Sequence, residues 1–254
     1  MKSISATEQA DDIAKDQGVT MRIRHSFVGR AIVTALLFGV SSGVVDAHGV
    51  SGKDAVFLQG LQGRAIGPLM YLGAKHMVTG YDHLLFLVGV IFFLYRLKDV
   101  VQYVSLFTLG HSVTLLVGVL GGVRANPYLI DAIIGFSVVY KAFDNLDGFR
   151  RFFGFQPNTR IAVLVFGFFH GFGLATKLQD FALSKSGLVA NILSFNVGVE
   201  IGQVLALTGV LIVLSYWRTR SGFLRQAFAA NAVVMAYGFL LVGYQLSGYW
   251  MSTL

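Results

Sequence analysis

The chain has 254 residues, a net charge of +7, 55% hydrophobic residues and only 13% charged ones, with a mean hydropathy of +0.66. A soluble domain carries about 25% charged residues, so roughly half the charge needed to coat a water-soluble globule is missing. The basic residues lie mostly in short loops between apolar runs, which points to membrane orientation rather than to nucleic acid, and the absence of cysteine excludes disulfides, thiolate metal sites and cysteine nucleophiles.

Residues 1–20 form a polar, acidic extension with no periodic apolar face, and Met21 reads as the natural start. From there Arg22, Arg24, His25 and Arg30 precede the apolar run Ala31–Val40, and Val45-Asp46-Ala47 closes it with a small-x-small pattern. A positive segment, a short apolar stretch and such a cleavage site make residues 21–47 a secretory signal peptide. The alternative is an uncleaved first helix, for which the run is short. Cleavage after Ala47 leaves a chain beginning His48-Gly49. A free α-amine beside an imidazole can chelate a metal, so His48 is a minor candidate ligand, although a residue after a cleavage site is more often incidental.

Residues 48–254 read as an all-α, polytopic bundle with six transmembrane helices, at about 67–95, 100–122, 127–146, 160–179, 189–216 and 226–250. Each run is near or above the ~20 residues a helix needs to cross a bilayer, and lipid excludes open strands. With the mature N-terminus outside, eight basic residues (Arg96, Lys98, Arg150, Arg151, Arg160, Arg218, Arg220, Arg225) fall in inner loops. Three (Arg124, Lys177, Lys185) fall outside. The bias agrees with the signal peptide and places a multi-pass protein in a bacterial inner membrane with both mature termini outside the cytoplasm.

Ionisable groups at membrane depth are costly and are functional candidates by default. The first span carries His76, Asp82 and His83, the second His111, the fourth His170, and the fifth Asn196, Glu200 and Gln203. Four of the five histidines after Ala47 thus belong to one set. Asn196, Glu200 and Gln203 share a helix face at i, i+4, i+7. His76 and His83 share one too, but about 10.5 Å apart along a regular helix, too far for one ion with bonds near 2 Å. Either Gly80 breaks the helix and folds the two histidines together, or two sites lie in series, the arrangement a transporter would favour because stepwise binding lets an ion leave. Asp82 points off that face, where it would orient a histidine.

Imidazole, carboxylate and amide ligands suit nickel, cobalt, zinc or iron(II) better than copper(I). Taken singly, His111 or His170 could instead hydrogen-bond across a helix pair. Lys141 and Asp144, at i, i+3, read as a structural ion pair or as an exit gate beside Asn145. Asp131 and Asp180 are weaker candidates for an outer vestibule.

The segments His76-Met-Val-Thr-Gly-Tyr-Asp82-His83, Phe-Thr-Leu-Gly-His111-Ser, Phe169-His170-Gly171 and Phe195-Asn196-Val-Gly-Val-Glu200-Ile-Gly-Gln203 together resemble the HupE/UreJ family. Its members are hydrogenase and urease accessory membrane proteins regarded as nickel or cobalt permeases. Nickel–cobalt permeases carry a similar histidine, spacer, Asp-His arrangement on one helix, and the resemblance implies His76, Asp82 and His83 as the nickel-handling residues here. It covers about Gly73 to Trp217.

The leading expectation is a permease moving a divalent transition metal ion inward, nickel or cobalt before zinc, iron or copper, on His76, Asp82, His83, His111, His170, Asn196 and Glu200. Its partners would be the lipid bilayer, the ion and a metalloenzyme maturation system, with a homo-oligomer compatible and nucleic acid not. One alternative is an intramembrane metalloenzyme holding the ion fixed, although the chain has no HExxH or GxSxG motif. Another is an assembly subunit delivering metal to an exported enzyme.

Overall fold

A computed structural model describes residues 63–179 and 187–254. The signal peptide, His48, Asp180 and Lys185 therefore lie outside the described residues. Within them the chain is helical, as α1 (Ile66–Thr79), α2 (Tyr81–Ile91), α3 (Leu97–Gly121), α4 (Pro127–Asn145), α5 (Gly148–Phe153), α6 (Thr159–Gln179), α7 (Leu188–Arg218) and α8 (Phe223–Ser252).

Four of these, α3, α6, α7 and α8, are long and apolar enough to cross a membrane. The expected first span is not one helix. It divides at Gly80 into α1 and α2, of 14 and 11 residues, each too short to cross alone. The third expected span is α4, 19 residues long, whose apolar run is interrupted by Asp131, Lys141 and Asp144. Its start is specified locally: the Asn126 side chain accepts the Leu129 N–H at 3.3 Å with Pro127 in the first turn, a side-chain cap combined with a residue that needs no donor there.

The long helices face outward with apolar side chains. On α3, Leu109, Val113 and Val117 are exposed one above another, while His111 and Thr114 are buried. This is the arrangement expected where the solvent is lipid, since polar backbone and side chains must then be satisfied inside. Beyond α4 the short α5 presents Phe152 and Phe153 beside Arg150 and Arg151, all exposed, a mixture that suits the headgroup level.

The helices pack as three close pairs, α1 with α7, α3 with α6 and α4 with α8. Apolar side chains gain little by leaving lipid, so such pairs depend on small residues that let backbones touch. A Cβ on Gly198 would stand 1.9 Å from the Met70 carbonyl oxygen across the α1–α7 crossing. One on Gly171 would stand 2.2 Å from the His111 carbonyl oxygen across the α3–α6 crossing. Into the middle of these pairs runs α2, packed mainly on α4 and touching α1, α3 and α7. Its far end is held from α7, where the Arg218 guanidinium donates to the carbonyls of Ile91 and Phe92 at 2.7 and 2.6 Å and so satisfies groups a helix terminus leaves open.

Candidate metal centre

The break at Gly80 decides where the first two histidines meet. Gly80 has φ −75° and ψ 88°, with its N–H bonded to the His76 carbonyl, and a Cβ there would lie 2.8 Å from that same oxygen. The turn puts His76, at the end of α1, against His83, at the start of α2, with ring centroids 5.1 Å apart. Of the two arrangements open to the sequence, the folded one is realised.

His83 is the hub of a larger group. Its ring centroid lies 4.7 Å from that of His170 on α6 and 6.0 Å from that of His111 on α3. Gly171 makes this closeness available, because any larger residue beside His170 would push α6 off the α3 backbone. Phe86, Phe107 and Phe195 pack round the rings, so water is kept from them and unpaired polar atoms are expensive.

Hydrogen bonds set the tautomers. The His170 Nδ1 lies 2.8 Å from the Phe166 carbonyl oxygen, and since a carbonyl can only accept, Nδ1 carries the proton. The His83 Nδ1 lies 3.1 Å from the Asp82 carboxylate, with the same consequence. In both rings Nε2 is left as a bare lone pair. Among the described residues these two atoms, the His76 Nε2 and both His111 nitrogens are buried without a hydrogen-bond partner. Buried polar atoms are nearly always satisfied, so an assembly of unsatisfied ones requires an explanation.

Beside the rings is a cavity lined by His76, Asp82, His83, Asp131, His170 and Lys177 among others. It offers about 10 Å³ to the centre of a water-sized sphere, room for one water or one bare ion. Its far wall is an ion pair in which the Lys177 ammonium donates to the Asp131 carboxylate oxygens at 3.3 and 3.2 Å. Asp131 therefore does border the histidines' cavity. Lys177, read from sequence only as an outer-loop charge, was missed as part of it. The available signal was its position seven residues after His170 on α6, two turns along the same face.

Among the described residues no group of three or more His, Asp or Glu side chains is disposed to hold a metal ion as it stands. The rings instead pack edge-on to His83, at 75°, 77° and 78°. Two of the expected ligands are elsewhere. Asn196 and Glu200 line a separate groove between α3 and α7, where Asn196 exchanges hydrogen bonds with Ser112 at 2.7 and 3.1 Å. Their helix face is shared, as expected, but it turns toward the Ser105–Ser112 side of α3 and lines a groove separate from the cavity beside His76, His83 and His170.

The sequence model of the HupE/UreJ protein family matches residues 52–253. The chain belongs to the HupE/UreJ family. The match extends past the expected Gly73–Trp217 at both ends and takes in all eight described helices. Comparison with curated proteins gives no match, and comparison with solved structures gives none. A HupE/UreJ protein is a membrane protein of the accessory or permease kind concerned with metals, and the imidazole cluster is the part of this chain whose chemistry fits that description.

Proposed function

We propose that this HupE/UreJ protein is a permease for a divalent transition metal ion, nickel or cobalt first, that passes the ion through the cluster centred on His83. The observation that carries this reading is the set of Nε2 atoms on His76, His83 and His170 that have no hydrogen-bond partner, buried beside a cavity of one-ion size. Nitrogen donors of this type suit late first-row divalent ions. Asp82 would hold His83 in the ligating tautomer and raise its basicity, the usual work of a carboxylate behind a metal-bound histidine. Asp82 and Asp131 against Lys177 give the cavity wall more acidic than basic side chains, which favours a cation. The edge-on packing means that the rings turn about their side-chain bonds to receive the ion, and a site that must rearrange to bind can also release.

The cavity has no space for an organic substrate beside the ion, which favours passage over the metalloenzyme reading. Both mature termini outside, six crossings with α1 and α2 sharing the first, and inward movement complete the proposal.

The test is total metal content of cells expressing the protein, by elemental mass spectrometry across nickel, cobalt, zinc, iron and copper, with His83→Ala and His170→Ala variants shown to reach the membrane. One metal should accumulate with the intact protein and fall to background in both variants. Flat metal content with the intact protein would reject transport.

A further inference from the structure

The groove between α3 and α7 is a second polar feature at membrane depth, chemically unlike the first. It encloses about 430 Å³, is open on one side, and is lined by Ser105, Thr108, Ser112, Asn196, Glu200 and Gln203 together with apolar residues. Glu200 is an exposed residue of α7, twelve residues from the helix start and eighteen from its end, roughly 18 and 27 Å at 1.5 Å per residue, which puts it at mid-membrane depth if α7 crosses the bilayer. A carboxylate at such depth requires a cation or a proton beside it.

The hydrogen bonds show what kind of donors the groove presents. The Thr108 hydroxyl donates to the Val104 carbonyl at 3.0 Å, so its oxygen meets Gln203 as an acceptor. The Gln203 amide must then turn its NH₂ toward it, and Nε2 donates at 2.8 Å. That fixes the other end of the amide: the Gln203 Oε1, on a residue only 2% exposed, has no hydrogen-bond partner. Carboxylate, amide oxygen and hydroxyls thus line one groove with no imidazole among them, whereas the His83 cluster is built on nitrogen. All-oxygen sets select hard cations, and a single carboxylate matches a single positive charge.

The geometry points to a site for a small hard monovalent cation, sodium, on Glu200 and the Gln203 Oε1, separate from the imidazole cluster. The site stands on its own donors and does not depend on the transition-metal reading. In a permease it would supply a coupling ion. The groove's open side lets the ion exchange.

The experiment uses the full chain in lipid nanodiscs without transition metal, measuring ²²Na⁺ binding by scintillation proximity against choline chloride at constant ionic strength. Saturable sodium binding is expected, lost in Glu200→Gln, weakened roughly tenfold in Gln203→Leu and retained in His83→Ala. Glu200→Asp, which keeps the charge on a shorter stem, should bind more weakly but measurably, and it separates loss of the ligand from loss of the fold. Binding unchanged in Glu200→Gln, or no saturable binding by the intact protein, would overturn the proposal. So would cross-linking of a cysteine placed at position 200 to a second copy of the chain at high yield, because the groove would then be a covered interface. Sodium binding without metal accumulation in cells would reject the permease reading and leave this site standing.

Discussion

His83 touches three other imidazoles, and Asp82 beside it decides which of its nitrogens they meet. Replacing Asp82 with Asn keeps an oxygen that can accept from Nδ1 but removes the charge, and lets the amide turn to donate instead, which would move the ring proton to Nε2. Metal affinity should fall about 10- to 100-fold, read by isothermal titration of purified Asp82→Asn protein with nickel and cobalt; an unchanged isotherm would remove Asp82 from the mechanism. The histidines and Asp82 were legible in the sequence because ionisable residues are rare among apolar runs and these recur on different spans. Asn196 and Glu200 were legible as a pair on one face. Their separation from the histidines was not, because periodicity says which side chains share a face and nothing of which neighbour that face meets. Lys177 was obscured for another reason: a lysine near a helix end looks like an orientation signal whether or not it turns inward to a carboxylate.

Among the elements, the broken first span carries most of the proposed site. Glycine is needed at position 80 for room, since a methyl group would stand 2.8 Å from the His76 carbonyl oxygen. Gly80→Ala should therefore strain the turn by about 1–3 kcal/mol and draw His76 away from His83. The expected outcome is weaker metal binding with α3, α6, α7 and α8 intact, seen as unchanged far-ultraviolet circular dichroism beside a weakened titration. Equal affinity would show that the close approach of the two rings is incidental. The break could be stated from sequence as one of two arrangements, because 10.5 Å is incompatible with a shared ion; choosing between them needed the packing of α2 against α4. The four long apolar helices were plain from hydropathy. Helix α4 was equally plain as a helix from its apolar run, although its three charges blur it as a span.

Across the whole molecule, polar groups within the helical bundle are distributed in distinct places with distinct chemistry. Besides the histidines and the groove there is a third, where the Lys141 ammonium pairs with Asp144 while Gln156 donates to the other carboxylate oxygen and Asn145 donates to the Gly89 carbonyl and to Asn231 at 2.9 Å each. This joins α2, α4 and α8, and it realises the ion pair that the i, i+3 spacing suggested. Lys141→Met leaves a buried carboxylate uncompensated and should cost about 3–5 kcal/mol, measured by denaturant unfolding in micelles. Lys141→Met with Asp144→Leu should recover most of that stability. If the single variant is no less stable but metal accumulation collapses, the pair acts as a gate and not as a brace.

The smallness of the histidines' cavity has a consequence for the water an ion carries. A space for one water-sized body cannot admit a hydrated ion, so in the proposed permease the shell would be shed at the entrance, before the imidazoles compensate for it. Ions that give up water reluctantly are then held back at the mouth whatever their charge and radius would allow within. Magnesium is such an ion, and a large excess of it should leave nickel or cobalt accumulation unaltered. Competition by magnesium would mean that the opening widens enough in the membrane to pass an ion with its water still attached. Discrimination at this protein would accordingly be exercised through dehydration, at the threshold and ahead of coordination.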